Sequence, residues 1–249
     1  MPNYKIVFIN DSFIKPSTAQ SSTIDPRLLN KKVANQVIQT PWVRKEPVGS
    51  HIACKQGFIF QHHVEVQADF PSVDIKHYPL YNQRIFKGDR NKDGRPDWMQ
   101  TCNVHSVACV LSGLTRDNVS PSDVYSAIEK FKGSIYAHDA LVRAINNWGF
   151  SSKFSTLTDI EDAKAHLAKG KPIIWSNKLT HGGHIVSLLA YCPKEKKFLV
   201  FDPYGEPTHN GTKWVYNPVS VPYWLSENGV NRANMNRSGA TQHWMHLVG

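Results

Sequence analysis

The sequence predicts an α+β fold, with short β segments first and then helices and further strands. Residues 1–74 carry short apolar β patterns separated by turns such as Lys15-Pro-Ser-Thr and Glu46-Pro-Val-Gly-Ser. From residue 75 onwards, apolar residues recur first at helical spacing and then in compact strand-like runs. This order differs from a repeating strand–helix–strand unit and therefore favours α+β over a parallel α/β sheet.

The N-terminal segment, residues 1–74, is expected to form a small β barrel or sandwich. Strand patterns cover Tyr4–Ile9, Trp42–Val43, His51–Cys54 and Phe58–Val66. The last of these alternates between apolar and polar residues, as a strand with one face on a core does. The stretch Ala68-Asp-Phe-Pro-Ser-Val-Asp has no periodicity, so we predict a domain boundary near residue 74.

The second domain, residues 75–249, is expected to contain four helices followed by strands. The helical patterns cover Asn103–Leu111, a segment opening at Ser122 after Pro121, His138–Trp148 and Asp159–Ala168. The strand patterns cover Pro172–Trp175, His184–Tyr191, Lys197–Asp202 and Trp214–Tyr216.

Composition indicates an ordinary soluble globular protein. The 249 residues are 41% hydrophobic, which suffices for one good core, and no stretch approaches the roughly 20 apolar residues of a membrane span. The N-terminus lacks the apolar region of a secretory signal, so we expect synthesis and initial residence in the cytoplasm. The four cysteines show no C-x-x-C spacing and are expected to be free thiols: Cys54, Cys102, Cys109 and Cys192.

The formal net charge of +9 favours an anionic partner. Candidates are a cell-wall polymer, an anionic membrane surface and nucleic acid. Nucleic acid ranks last, because the lysines and arginines are scattered and no zinc-finger or recognition-helix signature is present. The sequence leaves the oligomeric state open, with a monomer as the default expectation.

Cys102 is the candidate nucleophile. It directly precedes the amphipathic run Asn103–Leu111, so the unpaired amides at the start of a helix would point towards its sulfur. Such a position lowers the pKa of a thiol, and the thiolate is the form that attacks an acyl carbon. The competing interpretation is a buried structural thiol, which we favour for the other three cysteines.

His184 and Asp202 are the candidate base and its orienting group. His184 opens an apolar strand after Gly182-Gly183, and Asp202 ends the next strand. In a hairpin these two positions lie side by side, so the carboxylate could hold the imidazole in the required tautomer. Gln83 is the candidate oxyanion donor. His181 is an alternative base, but it precedes the glycines in a predicted loop.

Four motifs occur in order: Tyr81-Asn-Gln-Arg, Thr101-Cys-Asn-Val-His-Ser-Val-Ala, Gly183-His-Ile-Val and Phe201-Asp-Pro-Tyr-Gly. Together they resemble the bacteriocin-processing-peptidase-like branch of papain-type cysteine peptidases, over roughly residues 75–225. The resemblance implies a papain-like fold, a Cys–His–Asp triad and a glutamine in the oxyanion hole, with no cofactor for catalysis. Many members have threonine where this chain has His105, which could tune the site or fill space.

The segment between Gln83 and Cys102 resembles a calcium loop. Asp89, Asn91, Asp93 and Asp97 stand at loop positions one, three, five and nine, with Arg95 at position seven, where the backbone carbonyl is the usual ligand. Gln100 replaces the bidentate glutamate of an EF-hand, so we expect a dockerin- or thrombospondin-like loop. The alternative is a solvated polar turn. The histidine pairs 62–63 and 243/246 are expected to be exposed or packed, not metal ligands.

A hydrolase domain, a small β domain, positive charge and no export signal together resemble phage endolysins. That resemblance implies a peptidoglycan hydrolase, an endopeptidase or an amidase, kept in the host cytoplasm until it reaches the bacterial cell wall. The β domain looks like a bacterial Src-homology-type barrel, which implies wall binding. Two alternatives stay open: a protease that processes a leader peptide or virion protein, and a catalytically inactive binding module.

Overall fold

The computed structural model describes residues 3–86, 99–217, 219–235 and 241–249. Its N-terminal part consists of short antiparallel strands, as the sequence predicts. They are β1 (Tyr4–Phe8), β2 (Ser12–Ile14), β3 (Asn30–Lys32), β4 (Val37–Thr40), β5 (Val43–Lys45), β6 (His51–Cys54), β7 (Gly57–Phe60) and β8 (Val64–Ala68). Strand β1 lies between β4 and β8, β6 lies between β5 and β7, and β2 pairs with β3.

The prediction of one strand over Phe58–Val66 is wrong. A short 3-10 turn at Gln61–His63 separates β7, which pairs with β6, from β8, which pairs with β1. The Phe60 ring lies 5.2 Å from the ring of His62 and 4.9 Å from that of His63, a packing that the turn makes possible. The turn contains no glycine or proline, and it lies between the apolar run Phe58–Phe60 and the alternating run Val64–Val66, so the pattern resembles one strand.

All four predicted helices are present among the described residues, together with a fifth near the end of the chain. They are α1 (Cys102–Thr115), α2 (Pro121–Lys130), α3 (His138–Asn147), α4 (Ile160–Leu167) and α5 (Glu227–Arg232). Helix α2 begins earlier than predicted, because its cap is Ser120. The Ser120 hydroxyl accepts from the amide of Asp123, whose carboxylate accepts from the Ser120 amide, and Pro121 takes the first helical position.

A six-stranded antiparallel sheet supports the second half of the chain. Its strands are β9 (Ser152–Asp159), β10 (Ile173–Asn177), β11 (His184–Cys192), β12 (Lys197–Phe201), β15 (Tyr223–Ser226) and β16 (Gln242–Val248), in the order β15-β12-β11-β10-β16-β9. A separate hairpin joins β13 (Glu206–His209) to β14 (Trp214–Asn217). The sequence patterns did not predict β9, β13, β15 or β16. Because β9 lies between α3 and α4, the expected order of four helices followed by strands is wrong.

Helix α1 packs on the middle of this sheet, and almost all of its residues are buried. The Ser106 hydroxyl donates to the Ile185 carbonyl at 2.9 Å, and the Ser187 hydroxyl donates to the Ser106 carbonyl at 3.2 Å. These two bonds set the position of α1 along β11. Because Cys102 opens α1 and His184 opens β11, they also set the distance between those two residues.

Contacts cross the boundary predicted near residue 74. The amide of Val73 donates to the Leu189 carbonyl at 3.0 Å, and the indole of Trp224 donates to the Pro41 carbonyl at 2.8 Å. One apolar core includes residues of β1, such as Ile6, and residues of α1, such as Val107. Among the helices that the structure describes, none has the length and apolar composition needed to cross a membrane.

Candidate active site

Cys102 is the first residue of α1, and its side chain is only partly buried, whereas Cys54, Cys109 and Cys192 are buried. The first amides of a helix lack partners within the helix, and the helix dipole is positive at this end. A thiol here is therefore in a position that favours its anion and remains accessible. The buried cysteines fit the interpretation of small apolar core residues.

His105, one helical turn after Cys102, fastens the start of the helix. Its Nδ1 and its backbone amide both donate to the Thr101 carbonyl, at 2.7 and 3.1 Å. Because a carbonyl only accepts, Nδ1 carries the proton of the neutral ring. Burial lowers the pKa of His105 to about 4, so the ring is uncharged at neutral pH. His105 thus positions the helix start and adds no positive charge beside Cys102.

His184 and Asp202 are joined across the β11–β12 hairpin. Nε2 of His184 lies 2.7 Å from Oδ1 of Asp202, and both side chains are almost completely buried. His184 also forms a side-chain hydrogen bond with Cys102. Since Nε2 is engaged with Asp202, this second contact uses Nδ1. The imidazole therefore lies between the thiol and the carboxylate.

Four donors surround the carboxylate of Asp202. Oδ1 accepts from the Tyr204 amide at 2.8 Å in addition to His184, and Oδ2 accepts from the hydroxyls of Tyr216 at 3.2 Å and Tyr223 at 3.1 Å. Burial and the negative charge of Asp202 raise the pKa of both phenols, so both remain protonated donors. The sequence patterns did not predict these tyrosines as part of the site. Tyr216 lies in a predicted strand, but no spacing signal connects it to Asp202.

The pKa of His184 follows from these contacts. Burial by itself lowers the pKa, but the attraction of Asp202 and the contact with Cys102 outweigh it and raise the pKa to about 10. The imidazolium form is therefore favoured at neutral pH. A positively charged His184 therefore lies in contact with the Cys102 side chain.

Gln83 is buried close to the same residues. The backbone amide of Gln83 donates to the Pro203 carbonyl at 2.9 Å, so this hydrogen bond holds the backbone of Gln83 next to the residue that follows Asp202. Arg84 strengthens this connection, because its Nε donates to the Tyr204 carbonyl at 2.8 Å and its guanidinium lies 3.7 Å from the centre of the Tyr204 ring. The sequence patterns did not predict this role of Arg84.

Gln83, Cys102 and His184 all line one open cleft of about 590 Å³. The other lining residues are Met99, Gln100, Asn103, Tyr136, His138, Ser176, Thr180, His181, Gly182, Gly183, Ile185, Tyr204 and Met235. Apart from histidines, no side chain among these described residues carries a charge. His181, the alternative base, lies in the exposed loop before β11, whereas the bond to Asp202 belongs to His184.

The predicted calcium ligands Asp89, Asn91, Asp93, Arg95 and Asp97 lie outside the described residues. Met99 and Gln100, which follow them, line the cleft, and the Tyr136 hydroxyl donates to the Gln100 side chain. Within the residues that the structure describes, no group of three or more histidine, cysteine, aspartate or glutamate residues is arranged to hold a metal ion.

The family comparison covers the same part of the chain. Residues 75–227, which are more than half of the 249 residues and include Gln83, Cys102, His184 and Asp202, match the model of the Peptidase C39 like family. No curated protein matches the chain significantly. Because the match extends over most of the chain, this protein belongs to the Peptidase C39 like family of cysteine peptidases.

Proposed function

We propose that this protein is a peptidoglycan hydrolase that cleaves an amide bond with Cys102 as nucleophile, His184 as general base and acid, and Asp202 as the group that orients His184. One observation carries the chemistry: a thiol at the first position of α1 contacts an imidazole that is bonded to a buried carboxylate, and thiol and imidazole line an open cleft. A protein that only binds its ligand would not need a thiol, an imidazole and a carboxylate in contact with one another.

In the proposed reaction, the Cys102 thiolate attacks the carbonyl carbon, a C–S bond forms and the carbonyl electrons move to oxygen. The Gln83 side-chain amide and the backbone amide of Cys102 donate to that oxyanion. His184 gives its Nδ1 proton to the leaving nitrogen, so the C–N bond breaks and a thioester remains. His184 then takes a proton from water, which hydrolyses the thioester and releases the thiolate.

Charge and accessory structure support the bacterial cell wall as the substrate. The net charge of +9 favours an anionic polymer surface, and steering by charge raises the association rate. The short antiparallel strands of the N-terminal part are compatible with a small barrel, and we propose that this part holds the wall as a Src-homology-type barrel would. The described lining residues include no lysine, arginine, aspartate or glutamate, which suits short peptide segments in which amide bonds are close together.

Mass spectrometry of fragments released from purified peptidoglycan tests this function. The wild type is expected to release fragments that end in a new amine and a new carboxylate, and the position of the cut distinguishes an endopeptidase from an amidase. Cys102→Ala is expected to release none. If wild type releases no fragments but cuts one co-expressed protein at a single position, the protein is a processing protease and the wall assignment is wrong.

We also propose that Asp89–Asp97 binds calcium, on the ligand spacing in the sequence. Calcium at about 100 times its Kd is expected to stabilise the protein by roughly 2.7 kcal/mol. For a chain of this size, this corresponds to a rise in melting temperature of about 5–10 °C relative to EGTA. The double variant Asp89→Ala/Asp93→Ala should melt at one temperature in both conditions. An equal shift in wild type and variant, or none in wild type, contradicts the proposal.

A further inference from the structure

The cleft is also lined by His138, which lies beside strand β16 of the sheet. On the sheet face that packs against α1, Ser176 pairs in register with Ile185 on one side and with Trp244 on the other. The ring of Trp244 lies 5.7 Å from that of His138. Strand β11, which begins at His184, is separated by β10 from strand β16, which lies beside His138. The distance from β11 to β16 is therefore two strand spacings, or about 10 Å.

His138 is held firmly in this position. Its Nδ1 lies 2.9 Å from Nε2 of His246, and the Nδ1 of His246 lies 3.1 Å from the Ser152 hydroxyl. The ring of His138 also stacks on Phe154, with centroids 4.0 Å apart and planes 8° from parallel. With Nδ1 and one ring face engaged, the Nε2 edge is the polar part of His138 that remains to line the cleft.

The three groups form a chain of hydrogen bonds whose direction can reverse. Burial lowers the pKa of both histidines, that of His246 to about 3, so both rings are neutral at pH 7. If His138 donates to His246, its Nε2 accepts from the cleft. If His246 donates to His138 and the Ser152 hydroxyl donates to His246, then Nε2 of His138 donates instead. Either direction leaves each buried nitrogen paired.

We propose that His138 is a specificity-determining residue whose Nε2 forms a hydrogen bond with the backbone of an extended, uncharged peptide segment bound along the row of Ile185, Ser176 and Trp244. The proposal rests on the function proposed above in that Cys102 is taken as the nucleophile. An extended chain advances about 3.3 Å per residue, so about 10 Å places His138 near the third residue from the bond that is cut. Ser176, buried in the floor of this row, has a hydroxyl with no partner among the described residues.

Two substitutions separate the contact with substrate from the support of the ring. In His138→Asn, the amide takes the place of Nδ1, so the bond to His246 can remain while the Nε2 group is lost. In His138→Gln, the longer side chain brings an amide close to the former position of Nε2. His62→Asn is the matched control, because His62 is an exposed histidine of the N-terminal part.

The test measures alkylation of Cys102 by three reagents. Acetyl-Ala-Ala-Ala chloromethyl ketone extends to the acyl side of the cut, iodoacetyl-Ala-Ala-Ala amide extends to the other side, and iodoacetamide reports the thiolate alone. We expect His138→Asn to slow one tripeptide reagent about tenfold, the effect of one lost hydrogen bond, and His138→Gln to recover most of the rate. Iodoacetamide should react equally with all variants, and His62→Asn should match wild type throughout.

If neither tripeptide reagent distinguishes His138→Asn from wild type, relative to iodoacetamide, the proposal is overturned. A lower melting temperature with slower alkylation by all three reagents would indicate a structural role only and would also overturn it. Failure of wild-type Cys102 to react selectively with iodoacetamide would refute the proposed catalytic role, and the role of His138 with it. If wild type does not hydrolyse the cell wall, in contrast, the alkylation rates still test the role of His138, because they do not depend on peptidoglycan as the substrate.

Discussion

Cys102→Ala is expected to lower the rate of amide hydrolysis by at least ~10⁴-fold, because a thioester requires a thiol and the other three cysteines of the chain are buried outside the lining of the cleft. The rate of clearing of permeabilised bacterial cells measures this effect. The fold should be unaffected, since the Cys102 side chain is partly exposed at the start of α1 and removal of its sulfur leaves little cavity.

Cys192→Ala provides the matched control. Cys192 is a buried thiol at the end of β11, remote from the start of that strand where His184 lies, so hydrolysis should stay near the wild-type rate. Selective labelling gives a second measurement, because iodoacetamide should modify Cys102 much faster than the three buried cysteines. Clearing by Cys102→Ala at the wild-type rate would rule out thiolate catalysis by this residue.

Asp202→Asn is expected to lower activity at pH 7 by at least ~100-fold while the fold persists. Its amide oxygen can still accept from His184 and the Tyr204 amide. Its amide nitrogen can donate to the hydroxyls of Tyr216 and Tyr223 if these rotate and accept. The negative charge that keeps His184 protonated is lost. Loss of activity with a normal circular dichroism spectrum is the expected result.

Asp202→Ala should in addition unfold the protein more easily. It removes a fully buried carboxylate and leaves two phenols, an amide and an imidazole without their acceptor, which costs about 3–5 kcal/mol. Denaturant titration should show a clearly lower midpoint for Asp202→Ala than for Asp202→Asn. Equal midpoints would contradict the view that these four donors depend on Asp202.

His184 and Asp202 also determine how the activity depends on pH. Activity of wild type should fall at alkaline pH near the pKa of His184, about 10, as the imidazolium loses its proton. In Asp202→Asn this alkaline fall in activity should occur at lower pH, because burial lowers the pKa of His184 and the charge of Asp202 no longer raises it. The pKa of His184 is higher in the folded than in the unfolded chain, where it is about 6.5. Its contribution to stability is therefore complete below pH 6.5 and is lost as the pH rises through about 10.

Helices and the hairpin that carries His184 and Asp202 were predictable, because their signals are local. A helical period after Cys102, glycines before His184 and an apolar run before Asp202 each depend on neighbouring residues only. Strand β16 was not predictable in the same way. Its buried histidines, His243 and His246, break the apolar pattern, and His246 is paired with His138, which lies 108 positions earlier in the sequence.

By itself, the sequence determined the four helices and the hairpin of β11 and β12, and it indicated the four residues proposed for the reaction, since each depends on residue type and short-range spacing. Only the tertiary structure decided what surrounds those residues: the two tyrosines on Asp202, the clamp of Arg84 on Tyr204, and the chain from Ser152 to His138. These contacts join residues 14 to 120 positions apart. They arise from strand register and burial, which exist only when the distant segments have packed together.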